Sequence, residues 1–220
     1  MTSITVEGSH RIYRAAERGT LQLTVSLKGT DRDRVVRTHA DLHNEVAAAV
    51  RARREAGAAT WYDAGRISVW AYTPDPTQKH PKPVTTHRAS STIEAKYADL
   101  AMLADDVAGF SAREGVAVGP VQWSLTEATR TGLQAEAAAG AIADATKRAL
   151  TYAEAIRPGG GVHLALARVI ESHLHGAGGG GGFAGTYARG AAMAMADSAP
   201  AEITTPDLEV SASVVAEFQL

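Results

Sequence analysis

Four histidines are the residues of this sequence best spaced to do chemistry. His39 and His43 stand four apart in a helical pattern, so both rings can point the same way and share a divalent cation. A helical zinc-hydrolase motif would need Glu directly after the first His, and Ala40 stands there instead. No third ligand can be located, and both rings border the helix's apolar stripe, so a packed or boundary histidine is the stronger reading. His173 and His175 lie two apart and would share a strand face with Glu171, a set that could hold a cation at a strand end. The chain runs from there straight into glycine without a further ligand, and a solvated strand terminus is the stronger reading. These spacings assign no catalytic, cofactor-binding or metal-binding residue.

Other chemistry is excluded or weak. The chain contains no cysteine, which removes disulfides, thiolate zinc sites and cysteine nucleophiles. No serine sits in a Gly-x-Ser-x-Gly elbow. The glycine run 178–182 lacks the Lys-Ser/Thr that a phosphate loop requires. Asp105 and Asp106 are adjacent on a helix and diverge, which reads as a solvated face rather than an acid/base pair. Trp61, Tyr62, Trp70 and Tyr72 would stack bases only beside a basic surface; Arg66, Lys79 and Lys82 are the nearby cations, and core or interface packing is expected instead. A net charge of -2 and a pI near 6.4 give no overall attraction to nucleic acid or anionic lipid. No apolar run approaches the roughly 18 residues that span a bilayer. The opening Met-Thr-Ser-Ile-Thr-Val-Glu-Gly has neither a basic nor an apolar leader segment, so a mature cytoplasmic protein is expected.

The elements that must position these residues follow from periodicity. Residues 20–28 alternate strictly, with Leu21, Leu23, Val25 and Leu27 on one face, which predicts a half-buried strand. Ile4 and Val6 predict a shorter strand before it, reached through a turn near Arg18-Gly19. Thr30 is expected to cap a helix with Asp31 and Asp33 in its first turn, Arg51, Arg53 and Arg54 in its last, and an apolar stripe of Val35, Leu42, Val46, Ala49 and Val50. Trp61–Tyr72 predicts a strand that is irregular near Gly65, and the proline-rich Thr73–Pro83 an exposed hairpin loop. A strand over Val84–Tyr97 and a helix bearing Leu100, Leu103, Val107 and Phe110 follow. Alternation over Val121–Thr126 predicts a strand feeding an alanine-rich helix from about Glu127 to Ile156, stopped by Arg157-Pro158-Gly159. Val162–Ser172 is apolar on both faces, as in a central strand, and Leu208–Leu220 alternates clearly.

Strand-helix-strand-strand therefore occurs twice, over about 20–97 and 116–220, joined by a helix near 98–114 within one domain spanning 1–220. The expected class is α+β, a mainly antiparallel sheet covered by long helices. Alanine makes up 44 of the 220 residues, and small side chains along a helix let its backbone lie close to whatever it covers. Residues 176–207 form a Gly/Ala/Met-rich loop of 32 residues, unusually long for a compact domain. It reads either as a loose excursion or as a segment docking Phe183, Tyr187, Met193 and Met195 on a neighbouring subunit.

Several stretches together resemble the SIMPL-domain family. They are the opening Ile4-Thr5-Val6-Glu7-Gly8, the strand His87-Arg88-Ala89-Ser90-Ser91-Thr92-Ile93 leading to Asp99-Leu100, Gly119-Pro120-Val121-Gln122-Trp123-Ser124-Leu125-Thr126, and the ending from Leu208 to Phe218. The resemblance implies an α+β fold and a tendency to form large hollow or ring-like homo-oligomers. Members include periplasmic immunogenic proteins and one linked to oxidative-stress defence, and the resemblance carries over no catalytic residue. This chain departs from the family in beginning directly at the first strand, in having Ser9-His10 where a second glycine usually follows Gly8, and in its glycine run. The expectation is a cytoplasmic, non-enzymatic, self-assembling homo-oligomer connected with stress tolerance, without cofactor, nucleic acid or membrane insertion. Two alternatives stand beside it: a metal-binding protein or metal-dependent enzyme using His39/His43 or His173/His175, and a small-ligand carrier with Trp61 or Trp70 as a stacking surface.

Overall fold

The computed structural model describes residues 2–74, 84–159, 161, 163–176 and 204–220. In chain order the elements are β1 (Ser3–Ala15), β2 (Arg18–Gly29), α1 (Arg32–Glu55), β3 (Ala59–Ala64), β4 (Ser68–Tyr72) and β5 (Thr86–Tyr97). There follow α2 (Leu100–Ser111), β6 (Val116–Val118), β7 (Gln122–Ser124), α3 (Glu127–Ile156), β8 (Ala165–His175) and β9 (Asp207–Gln219). The pairings β1–β9, β8–β9, β2–β5, β2–β6, β3–β5 and β4–β5 are all antiparallel, which makes the fold α+β. The chain divides into two compact units, one gathering β1, α3, β8 and β9, the other running from Glu17 to Trp123.

The first unit is a three-stranded sheet of order β1-β9-β8. The shorter strand expected at the start is in fact 13 residues long, and it pairs with β9 over its whole length, from Ser3 opposite Gln219 to Ala15 opposite Asp207. No turn forms at Arg18-Gly19, because both residues already belong to β2. The clean alternation of β9 puts Val210, Ala212, Val214, Ala216 and Phe218 on one buried face. Helix α3 covers that face and runs over the bounds expected for it. Its contact stripe is Ala137, Ala141, Ala145, Ala149 and Ala153, all fully buried and each four residues from the next.

Methyl side chains alone allow α3 to lie this close to β1. A Cβ at Gly8 would collide with the Ala141 carbonyl oxygen and stand 2.7 Å from the Ala145 methyl carbon. The strand β8, expected in the centre, is an edge strand: it pairs with β9 on one side and with no strand on the other among the described residues. Its two-sided apolar pattern fits burial on both faces, but α3 sits over β1 and β9 and leaves β8 largely uncovered.

The second unit has a sheet of order β3-β5-β2-β6, with β4 also paired to β5 and β7 to β2. The aromatic stretch expected as one irregular strand is two strands, β3 and β4, hydrogen-bonded successively to β5. At the break, the Gly65 N–H donates to the Thr92 carbonyl at 2.9 Å, and a Cβ on Gly65 would lie 2.8 Å from that oxygen. The strand expected over Val121–Thr126 is only β7, and β6, which has too few residues to show periodicity, pairs with β2 beside it. Leu21, Leu23, Val25, Ile93, Ala95 and Tyr97 form the buried face beneath α1 and α2.

Asp31, not Thr30, caps α1: its backbone is extended and its carboxylate accepts the Arg34 N–H at 3.1 Å. That hydrogen bond holds the Asp31 carboxyl below its ordinary range. Asp99 caps α2 by accepting two backbone N–H groups, and Thr126 caps α3. The segment 177–203, with the glycine run and the Phe183, Tyr187, Met193 and Met195 expected to dock, lies outside the described residues, as do residues 75–83 with Lys79 and Lys82.

The seating of α3 on Gly8 gives a paired prediction. Gly8→Ala is expected to cost about 3 kcal/mol through overpacking. Gly132→Ala, on the open side of the same helix, is expected to add about 0.5–1 kcal/mol from helix propensity. Urea unfolding midpoints measure both; equal effects at the two positions would contradict the close seating.

Candidate functional site

Within the second unit, α1 turns both of its histidines toward the sheet. The stripe expected as Val35, Leu42, Val46, Ala49 and Val50 is displaced: the buried residues are Val35, His39, His43, Val46, Ala47 and Val50, with Leu42 and Ala49 half-buried at its margins. The two rings stack with centroids 6.3 Å apart at an interplanar angle of 18°. His39 Nε2 lies 3.1 Å from the Val25 carbonyl, which can only accept, so this nitrogen carries the proton. His43 Nδ1 lies 2.8 Å from Ser91 Oγ. Ser91 Oγ is also 3.4 Å from His39 Nε2, so it accepts there and donates its own proton to His43. His43 is thereby held as a neutral acceptor, and burial first, then the neighbouring His39, lowers its pKa from the ordinary 6.5. His39 Nδ1 is buried without a hydrogen-bond partner.

A hydroxyl beside an imidazole resembles an activated nucleophile, but two features set this trio apart. Ser91 faces the helix and is only 4% exposed. No carboxylate orients His43 among the described residues. As a metal site the pair offers two nitrogens, and the described residues contain no group of three His, Asp or Glu able to hold an ion. What the arrangement does is fix the register of α1 on β2 and β5.

Asp106 departs from the sequence reading. Asp105 is exposed as expected, whereas Asp106 is buried on the opposite side of α2. Arg53 holds its carboxylate with two donors, Nε at 2.9 Å from Oδ2 and Nη2 at 2.8 Å from Oδ1, and the Tyr97 hydroxyl donates to Oδ2 at 2.7 Å. Burial and this bond to a carboxylate push the Tyr97 hydroxyl far above its ordinary range. The cluster ties the end of α1, the end of β5 and the middle of α2 to one point. The sequence marks Arg53 only as a last-turn charge and Ser91 only as part of a strand, because nothing local reveals a partner that lies 48 or 53 positions away.

The remaining site residues lie at the surface. In the first unit His173 and His175 stack at 5.8 Å. Glu171 does not join them: a bulge shifts the register, placing Glu171 opposite Val214 on the helix side and His173 opposite Ser213 on the other face. In the second unit Trp61, Trp70 and Tyr72 are exposed, not in the core. Tyr62 is half-buried, accepting from Arg51 Nε at 3.2 Å with the Arg54 guanidinium 5.9 Å over its ring. Trp70 has the Arg88 guanidinium 5.8 Å over its ring.

These features define an α+β protein of helix-covered antiparallel sheets whose clustered polar side chains brace helices. The chain belongs to the SIMPL family, described as a protein of unknown function (DUF541), whose sequence profile matches residues 4–218. No curated protein matches it. Among the described residues no helix is long and apolar enough to cross a membrane.

Two predictions test the buried clusters. Asp106→Asn removes the charge facing Arg53, and because Arg53 keeps access to water the expected loss is about 2 kcal/mol in chemical unfolding; a change under about 0.5 kcal/mol would contradict the bracing role. The unfolded chain binds a proton at His43 more tightly than the folded one does. Stability should therefore fall as pH drops below about 6.5, and level off below the depressed folded value. His43→Gln should flatten that part of a urea-midpoint against pH curve, and an unchanged slope would show that other groups set it.

Proposed function

We propose that this SIMPL-family protein is a non-catalytic subunit of a homo-oligomer, and that a second copy covers the free edge of β8. The observation that carries the reading is the composition of that edge. Leu166, Val169, Ile170 and Leu174 are each more than a third exposed, on both faces of a strand that lacks a second neighbour among the described residues. Unpaired edge strands are normally short, charged or covered, because their free N–H and C=O groups recruit further strands.

The opposite edge supports the choice of β8. On β1 the Ser9 N–H is taken by Asp144 of α3 at 3.0 Å, and Asp144 is paired with Arg148. One N–H of the β1 edge is thus taken within the chain, which favours growth at β8. Pairing two copies of β8 about a two-fold axis would join two three-stranded sheets into one of six strands.

The non-catalytic part of the reading rests on where the fold puts its reactive side chains. His39, His43 and Ser91 are buried under α1, and Asp106 is spent on Arg53 and Tyr97. A connection with stress tolerance belongs to this reading through the family resemblance. Light scattering on the purified protein tests the assembly. The expected result is a multiple of the 23.0 kDa chain mass, reduced to that mass by Leu166→Lys/Ile170→Lys with circular dichroism unchanged. A wild-type mass of 23.0 kDa over a broad concentration range would sink the reading.

A further inference from the structure

The open face of the second unit's sheet carries a row of side chains that the fold itself does not use. Registers across three strands place Trp70 of β4 opposite Arg88 of β5, and Arg88 opposite Lys28 of β2. All three point away from the helices, because the alternate residues Ala89, Ser91 and Ile93 form the buried face. The row spans about 10 Å, two strand spacings. The next row toward the β3–β4 break is Ser68, Ser90 and Ser26, and Arg88 Nε donates to Ser26 Oγ at 3.3 Å. Arg66 stands at the break itself, where the glycine at position 65 brings the chain onto β5.

Two depressions of about 470 Å³ each adjoin along this face and share Trp70 as a wall. One contains Arg66, the other Lys28, Arg88 and Tyr72. Among the described residues no carboxylate pairs with Lys28, Arg66 or Arg88. The acid on this face of β5 is Glu94, held by Gln22 at 3.0 Å. It lies six residues from Arg88, about 20 Å along the strand and beyond the range of unscreened attraction. Arg88 and Lys28 face each other across one strand spacing beside an exposed indole and phenol, with no neutralising carboxylate among the described residues, and an acidic chain gains no solubility from them.

We infer that this face binds a small aromatic anion, its ring stacked on Trp70 and its phosphate held by Arg88 and Lys28. A planar ring on Trp70 takes the position of the Arg88 guanidinium or extends beside it over Tyr72. Arg88 supplies paired donors for the anion, Lys28 a point charge, and the serine row neutral hydroxyls. The size of the depressions matches a mononucleotide-sized ligand, and the short row of cations does not continue into a track for a polymer.

The test is calorimetric titration of the full chain at about 50 mM salt with flavin mononucleotide, set against riboflavin, which lacks the phosphate, and inorganic phosphate, which lacks the ring. Saturable binding of flavin mononucleotide is expected, at least about tenfold tighter than either counterpart. Trp70→Ala and Arg88→Gln should each weaken it about tenfold or more with the thermal midpoint unchanged; Lys28→Gln, at an exposed position, serves if either fails to fold. The inference is overturned by no saturable binding at about 1 mM, by riboflavin or phosphate binding equally well, or by variants that bind like the wild type. It is also overturned if a thymidine oligonucleotide binds far more tightly with a steep salt dependence, which would make the face a single-strand surface.

Discussion

The ladder between β1 and β9 is the constraint on which the first unit depends. It joins residues about as far apart in sequence as the chain allows, and closing a loop of that length costs roughly 5 kcal/mol in chain entropy. That cost is offset by hydrogen bonds along thirteen register pairs and by burial of Ile4, Val6 and the inner face of β9 under α3. Because β1 occupies one side of β9, only the other side is left for β8, and the helix that seals the first pair cannot also cover the third strand. The close seating of α3 and the bareness of β8 are two results of one arrangement. Alanine and glycine at the contact shorten the reach of the helix, and the sheet is wider than a helix so placed can shield.

The second unit is held differently. Its core is larger in side chain and includes polar groups that cannot slide: the His39–Ser91–His43 hydrogen bonds and the carboxylate of Asp106 between Arg53 and Tyr97. Apolar packing is tolerant of small shifts, whereas these bonds are satisfied in one register only. They leave the outer face of the sheet free of any structural duty. That freedom is why an indole and cations without a carboxylate partner among the described residues can stand there without weakening the fold.

Much of the architecture was legible because periodicity is a local property. The bounds of α3, the alternation of β9 and the faces of β2 follow from residues a few positions apart. What depends on pairing was not legible. Ile4 and Val6 show a strand but not that it continues to Ala15, since beyond Gly8 the strand is supported by β9 and exposed on its faces. Val162–Ser172 shows apolar residues on two faces, and the same pattern fits a central strand or an edge awaiting a partner. Asp106 looked solvated because its neighbour Asp105 is, and the positions of Arg53 and Tyr97 relative to it are fixed only by the fold. Trp70 and Arg88 are 18 apart in the chain and meet through a register that no local signal encodes.

The β1–β9 pairing also sets an order of events during synthesis. β1 is made about 200 residues before β9, its strand partner among the described residues, so it emerges from the ribosome unpaired and remains so for on the order of ten to forty seconds at ordinary elongation rates. Among the described residues, the strands from Glu17 to Trp123 pair with one another, and this stretch can collapse during that interval. A strand that must wait needs to be a poor target for wrong partners. The later half of β1, Ser9-His10-Arg11-Ile12-Tyr13-Arg14, is polar and basic rather than apolar, a composition suited to solvation while the rest of the chain is still being made.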